Sequence, residues 1–277
     1  MLRELAGSII QAMRPIAAAV LAVVLVSGQS LKFEVASIKP TRSAGDSMGI
    51  RPSPGGERYI ASNVTLKLLI TVAYRIRADQ VAGGPAWMDA DRYDMNAKAE
   101  RPSSIEELHV MLQDLLVDRF KLHFHRETKE LPAYILTVDK DGPKLTAHEA
   151  RSGGDPWIEP KADFPGAGGQ LKTTWHATFA SMDFFAWRLS MILDRPVIDQ
   201  TKLPGTYDFD LAFTQELPPP PSNTPAGAVF LGGPGPVSAS NSNLVEAIRQ
   251  QLGLKLERQK GPVDILVIDQ AEKPVEN

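Results

Sequence analysis

The chain has 277 residues, a formal net charge of -3, 43% hydrophobic residues and no cysteine. That length suggests about two domains, and the apolar content is enough to pack cores. The slight acidity gives no drive toward nucleic acid, and the missing cysteines exclude disulfide stapling and thiol-linked lipid anchoring.

Residues 1–30 read as a signal peptide. Arg3 and Arg14 precede an apolar run of 11 residues from Ile16 to Val26, the length of a signal core and short for a membrane span. Val26 and Gly28 satisfy a small-residue cleavage rule, placing the cut before Gln29, with a cut after Ser30 as the alternative. The competing reading is an uncleaved anchor, because Leu5 to Ile10 is also apolar. The expected destination is periplasmic or secreted, with no stable membrane span after cleavage.

A first repeat occupies 31–145. Leu31 to Ile38 alternates as a strand, Thr41 to Gly56 reads as a loop, and Arg58 to Ala61 as a short strand. Asn63 or Thr65 caps a helix from Leu66 to Arg75, whose Leu66, Leu69, Ile70 and Ala73 share one face. Gly83-Gly84-Pro85 interrupts regular structure, and Asp91 to Ala99 is a strand. Ser104 and Glu107 form a capping box before a helix carrying Leu108, Met111, Leu112, Leu115 and Leu116. Phe120 to Glu127 and Pro132 to Asp139 read as a hairpin turning at Thr128-Lys129-Glu130.

A Gly-rich linker, 146–169, leads to a second repeat over 170–277. Here strand Leu171–Ala177 precedes helix Met182–Leu193, then strands near Pro196–Asp199 and Thr206–Phe213. A Pro/Gly-rich insertion spans 215–242 and holds four consecutive prolines, Pro218 to Pro221; it cannot supply a core. Helix Leu244–Leu252 and a hairpin over Gly253–Asp269 finish the chain.

The two repeats echo each other. Leu66, Leu69, Ile70 and Ala73 recur as Met182, Phe185, Ala186 and Leu189, and Tyr93-Asp94 recurs as Tyr207-Asp208. Phe120-Lys121-Leu122 recurs as Leu254-Lys255-Leu256, and Leu131 to Asp139 as Gly261 to Asp269. The fold expected is α+β: a tandem duplication of a β-α-β-β-α-β-β-like unit, two helices against a small mixed or antiparallel sheet.

Chemistry is sparse. His123 and His125, two apart on a strand, point to one face with Glu127, which makes them the candidate metal ligands. The competing reading is a solvated strand face. Asp89, Asp91 and Asp94 lack the glycine and distal glutamate of a calcium loop. The recurring Tyr-Asp pair reads as structure, with the ring in the core and the carboxylate at an edge or cap. H-E-x-x-H and a phosphate-loop ending are absent from the sequence. Arg75, Arg77, Arg188 and Arg195 suit either an anion or helix-end carbonyls, and Trp187 reads as a packing residue. No cofactor is expected.

Five blocks occur in order: F-E-V-A-S-I-K-P, G-G-P-A-W-M-D-A-D-R-Y-D, M-L-Q-D-L-L-V-D-R-F-K-L-H-F-H-R-E-T-K-E-L-P-A-Y, R-P-V-I-D-Q-T-K-L-P-G-T-Y-D-F and Q-L-G-L-K-L-E-R-Q-K-G-P-V-D-I-L-V-I-D. With them the chain, over roughly 31–277, resembles the soil-associated exported protein family, abundant in acidobacterial genomes and described only as a domain of unknown function. The resemblance implies export without an assigned activity. Some members of that family carry this region behind a membrane-embedded peptidase, but the zinc motif of that peptidase is absent here. The reading expected is a non-catalytic binding or interaction module of the envelope, with an envelope protein or glycan as partner. The alternatives are a metal-dependent hydrolase using His123, His125 and Glu127, and a sensor working with a separately encoded membrane peptidase.

Overall fold

Capping residues fix where the three long helices begin. In the computed structural model, which describes residues 31–42, 48–52, 56–148, 157–163, 171–215 and 242–275, Thr65 Oγ1 accepts the Leu68 N–H at 3.2 Å and starts α1 (Leu66–Ala73). A short helix α2 (Trp87–Ala90) follows. Ser104 and Glu107 exchange hydrogen bonds at the start of α3 (Ile105–Arg119), as the capping box requires. Ser181 caps α4 (Met182–Ile192), and α5 (Ser242–Ala247) runs on into a π turn, Ile248–Leu252. Gly253 ends that turn at φ +63, where a Cβ would lie 2.1 Å from the Gly142 carbonyl oxygen, so only glycine fits. Residues 1–30, read as a signal peptide, the stretches 149–156 and 164–170 of the expected linker, and 216–241 of the expected insertion lie outside the described residues.

The strands in chain order are β1 (Phe33–Pro40), β2 (Gly49–Pro52), β3 (Arg58–Thr65), β4 (Val81–Gly83), β5 (Arg92–Ala99), β6 (His123–Val138), β7 (Thr146–Ala147), β8 (Trp157–Asp163), β9 (Leu171–Ala180), β10 (Val197–Asp199), β11 (Tyr207–Gln215) and β12 (Leu254–Gln270). They build an α+β fold of three four-stranded sheets, ordered β1-β5-β3-β2, β10-β6-β12-β4 and β7-β11-β9-β8. The first and third sheets are antiparallel and share one layout: each has its strands in the order first, fourth, third, second along the chain. β7 and β8 fall within the stretch expected as linker.

The central sheet corrects the sequence reading. The two expected hairpins do not form. β6 and β12 are unbroken strands of 16 and 17 residues that pair with each other antiparallel along their length, with Leu131 opposite Gly261. Thr128-Lys129-Glu130 contains no turn residue; it is polar because the middle of this ribbon faces water.

The ribbon links two cores. On the face carrying the even-numbered side chains of β12, Leu254 and Leu256 enter one core, and Leu266 and Ile268 enter the other. β6 does the same in reverse: Phe124 packs on the first core, and Tyr134 and Leu136 belong to the second. The first core also gathers α1, α3 and the first sheet around Tyr59, Leu69, Leu112 and Phe120; the second gathers α4 and the third sheet around Trp175, Phe185, Leu189 and Leu211. A small apolar cluster of Ala133, Val263 and Ile265 lies apart from both. Each core therefore takes a strand segment from the other half of the chain.

Tyr93 and Tyr207 are buried, and the carboxylates beside them hold backbone, as expected of a structural pair. Asp94 accepts the Asn63 N–H at 2.8 Å and the Thr41 hydroxyl at 3.0 Å. Asp208 accepts the Phe179 N–H at 2.9 Å and pairs with His148 Nδ1 at 2.6 Å. Asn63 and Phe179 both have positive φ, 54 and 53, at the irregular end of a strand just before a helix cap.

Candidate functional site

A cleft of about 320 Å³ opens between the two cores, above the solvated middle of the ribbon. One wall is the end of α1 and the turn after it, through Tyr74, Arg75, Ile76 and Gln80. The facing wall is α4, through Asp183, Ala186, Trp187 and Ser190, and Pro196 to Asp199 closes a side. The ribbon contributes Arg126 from β6 and Pro262 to Asp264 from β12. Five separate segments meet because β6 and β12 carry both cores side by side.

Most of the polar groups lining this cleft are already engaged. Arg75, at φ 52 beyond the α1 cap, binds Glu106 at 3.0 Å and lies 5.4 Å over the Phe184 ring, joining the two halves. Gln80 Nε2 donates to the Asp264 carbonyl at 2.8 Å, and the Asp264 carboxylate accepts the Thr128 hydroxyl at 2.8 Å. Asp199 accepts the Thr201 N–H, and Ser190 Oγ donates to the Ala186 carbonyl and accepts the Val197 N–H.

Others are not, and even on Arg75 the buried Nε has no hydrogen-bond partner among the described residues. Arg126 rests 5.8 Å over the Tyr74 ring but makes no hydrogen bond or ion pair from its side chain among the described residues. Asp183, in the first turn of α4, has no such partner there either, although the helix N-terminus favours its charge. The Trp187 indole N–H is shielded from solvent and unpaired, with the ring 5.6 Å from Phe184. Burial pushes the Tyr74 phenol up to about 12 against the opposing pull of Arg126, so the hydroxyl stays protonated at neutral pH.

The arginines singled out in the sequence go to structural work. Arg77 Nη1 donates to the Ser190 and Leu193 carbonyls at 2.5 and 2.6 Å, closing the C-terminus of α4 from the other half. Arg188 lies between Trp175 and Trp187, 5.7 and 5.9 Å from their rings, and Arg195 binds Asp194 at 3.1 Å.

The candidate metal residues are only partly gathered. His125 Nε2 lies 3.4 Å from Glu127, while its Nδ1 faces Asp269 on β12 at 2.9 Å. The hydrogen bonds that the imidazole donates to the Asp269 and then the Glu127 carboxylate raise the His125 pKa. His123 is exposed at the end of the strand and makes no hydrogen bond to either residue. Among the described residues no group of three or more histidine, aspartate or glutamate side chains is arranged to hold a metal ion. Asp269 was invisible as a partner in the sequence because the pairing of β6 with β12 sets it there. Two more cross-strand pairs, His148 with Asp208 and His176 with Asp210 at 2.5 Å, belong to the third sheet.

A family model described as a protein of unknown function (DUF3738) matches residues 67–271. No curated protein and no solved structure matches the chain. No helix among the described residues is long and apolar enough to cross a membrane.

Proposed function

The chain belongs to this DUF3738 family, one of unknown function, and from that premise we propose that it is an exported, non-catalytic binding module of the cell envelope that takes an envelope partner in the cleft between its cores. The observation that carries this reading is the cleft itself: a concave site with aromatic walls, in which the exposed Arg126 and Asp183 side chains have no polar partner among the described residues. Export rests on the charged and apolar pattern of residues 1–30 and on the resemblance to the soil-associated exported family. A tandem duplication accounts for the common layout of the two outer sheets and for the pairing of Leu131 with Gly261, which the sequence echo aligns.

Fractionation of the native host tests export. The expected result is a protein outside the cytoplasm whose N-terminus, by mass spectrometry, is Gln29 or Leu31. Retention of the whole chain in the cytoplasm would remove the envelope from the reading. Immobilised protein exposed to envelope extracts and to a glycan array tests binding. Two empty experiments, with no small ligand bound in calorimetry, sink the module. Stoichiometric zinc, with stability lost in chelator, would instead favour the hydrolase alternative at His123, His125 and Glu127.

A further inference from the structure

We infer that the ligand of the cleft is a small zwitterion: a free amino acid or a di- or tripeptide with both termini charged. This rests on the binding-module reading above and adds the ligand class. Size gives the first constraint. Ligand clefts span roughly 300–1,000 Å³, so about 320 Å³ admits an amino acid or two.

Charge gives the second. Arg75 is neutralised by Glu106, and the Asp264 and Asp199 carboxylates each accept an internal hydrogen bond. Among the described residues that leaves Arg126 on the ribbon as the lining cation with no ion-pair partner, and Asp183 on α4 as the lining carboxylate with no internal partner at all, while Asp199 and Asp264 keep their charge beside neutral donors. A ligand that covers both without supplying charge strips their water and returns no ion pair, which is costly. A simple anion answers Arg126 and leaves Asp183 uncompensated; a simple cation does the reverse. A neutral sugar answers neither. A zwitterion answers both: its carboxylate takes the planar fork of Arg126 in a bidentate pair, and its ammonium meets Asp183. The remaining carboxylate oxygens of Asp199 and Asp264 bias the cleft toward the ammonium end.

The aromatic walls complete the match. Tyr74 and Trp187 offer apolar surface to a small side chain.

Titration calorimetry on the purified protein tests the inference with three probes: alanyl-alanine, its N-acetylated C-amide, and the neutral trimer of N-acetylglucosamine. Alanyl-alanine is expected to bind. The capped dipeptide should bind at least about tenfold more weakly, because each lost charge-assisted contact is worth that much or more. Arg126→Gln and Asp183→Asn should each weaken alanyl-alanine by about tenfold or more while leaving the thermal unfolding midpoint in place, since both side chains are exposed. Equal binding of the capped and uncapped dipeptides, or unchanged binding by both variants, overturns the zwitterion. Binding of the sugar with a silent dipeptide overturns it too, and leaves the binding module standing. Silence of all three probes also overturns it; the module then survives only if envelope extracts yield a partner.

Discussion

Asp94 and Asp208 hold the same backbone feature under different loads. Each carboxylate accepts the N–H of a residue at positive φ, but that residue is Asn63 in one place and Phe179 in the other. Asparagine tolerates the left-handed region, whereas a bulky phenylalanine there carries strain of order 1–3 kcal/mol. Burial pushes the Asp208 carboxyl up, but the hydrogen bonds from His148 and the Phe179 N–H outweigh it and hold the pKa below the usual value. Asp208→Ala is therefore expected to cost about 1–3 kcal/mol by urea unfolding, and more than Asp94→Ala. Equal losses would mean that Phe179 is not held by its anchor. His109 gives a pH prediction. Burial, and then the nearby Arg75 charge, depress its pKa from 6.5 to about 4. The folded state then resists a proton that the unfolded chain accepts, so this group's contribution is intact above pH 6.5 and falls as the pH drops toward 4. The loss is on the order of 2–3 kcal/mol. His109→Gln should flatten the fall in unfolding free energy between pH 7 and 4.5 relative to the parent. Parallel pH profiles would place the effect elsewhere.

At the scale of elements, Arg77 binds α4 to the turn before β4. Arg77→Ala leaves the Ser190 and Leu193 carbonyls without their donor, and a loss of about 1–3 kcal/mol is expected, partly restored by Arg77→Lys. Calorimetric melting checks it; a lysine variant as poor as alanine would show that only the guanidinium fork reaches both carbonyls. Elements whose signal is local were legible in the sequence. α1, α3 and α4 stand where their apolar spacing and caps put them, and Ser104 with Glu107 marked one start. The hairpins misled because the polar stretch at Thr128 to Glu130 carries the same hydrophilic signal whether the chain turns or simply crosses open water between two cores. β4 is three residues long, too short for periodicity, and it forms a strand because β12 offers a parallel edge; β10, equally short, stands where the sequence reading put a strand near Pro196–Asp199. The cleft was illegible for a related reason. Arg126 comes from β6, and Asp183 and Trp187 come from α4; the central sheet brings the two elements together, and neither carries a motif of its own.

On the scale of the whole molecule, the shared ribbon makes the two halves one cooperative unit. Residues 31–145 alone retain α1, α3 and the first sheet but lose Leu266 and Ile268 from their core and β12 from both β6 and β4. That fragment is expected to be unfolded or self-associated; circular dichroism with light scattering checks it, and a well-folded monomer would show that the first core stands without its borrowed strand. The order of synthesis gives the ribbon a further meaning. A ribosome releases the chain in order of sequence, so the first core waits for residues almost 150 positions downstream of Phe120 before it can close. Half-made protein has no finished half. A chain that must reach its last strand before either core is complete stays extensible while it is being made, the condition in which a polypeptide can be threaded through a narrow pore.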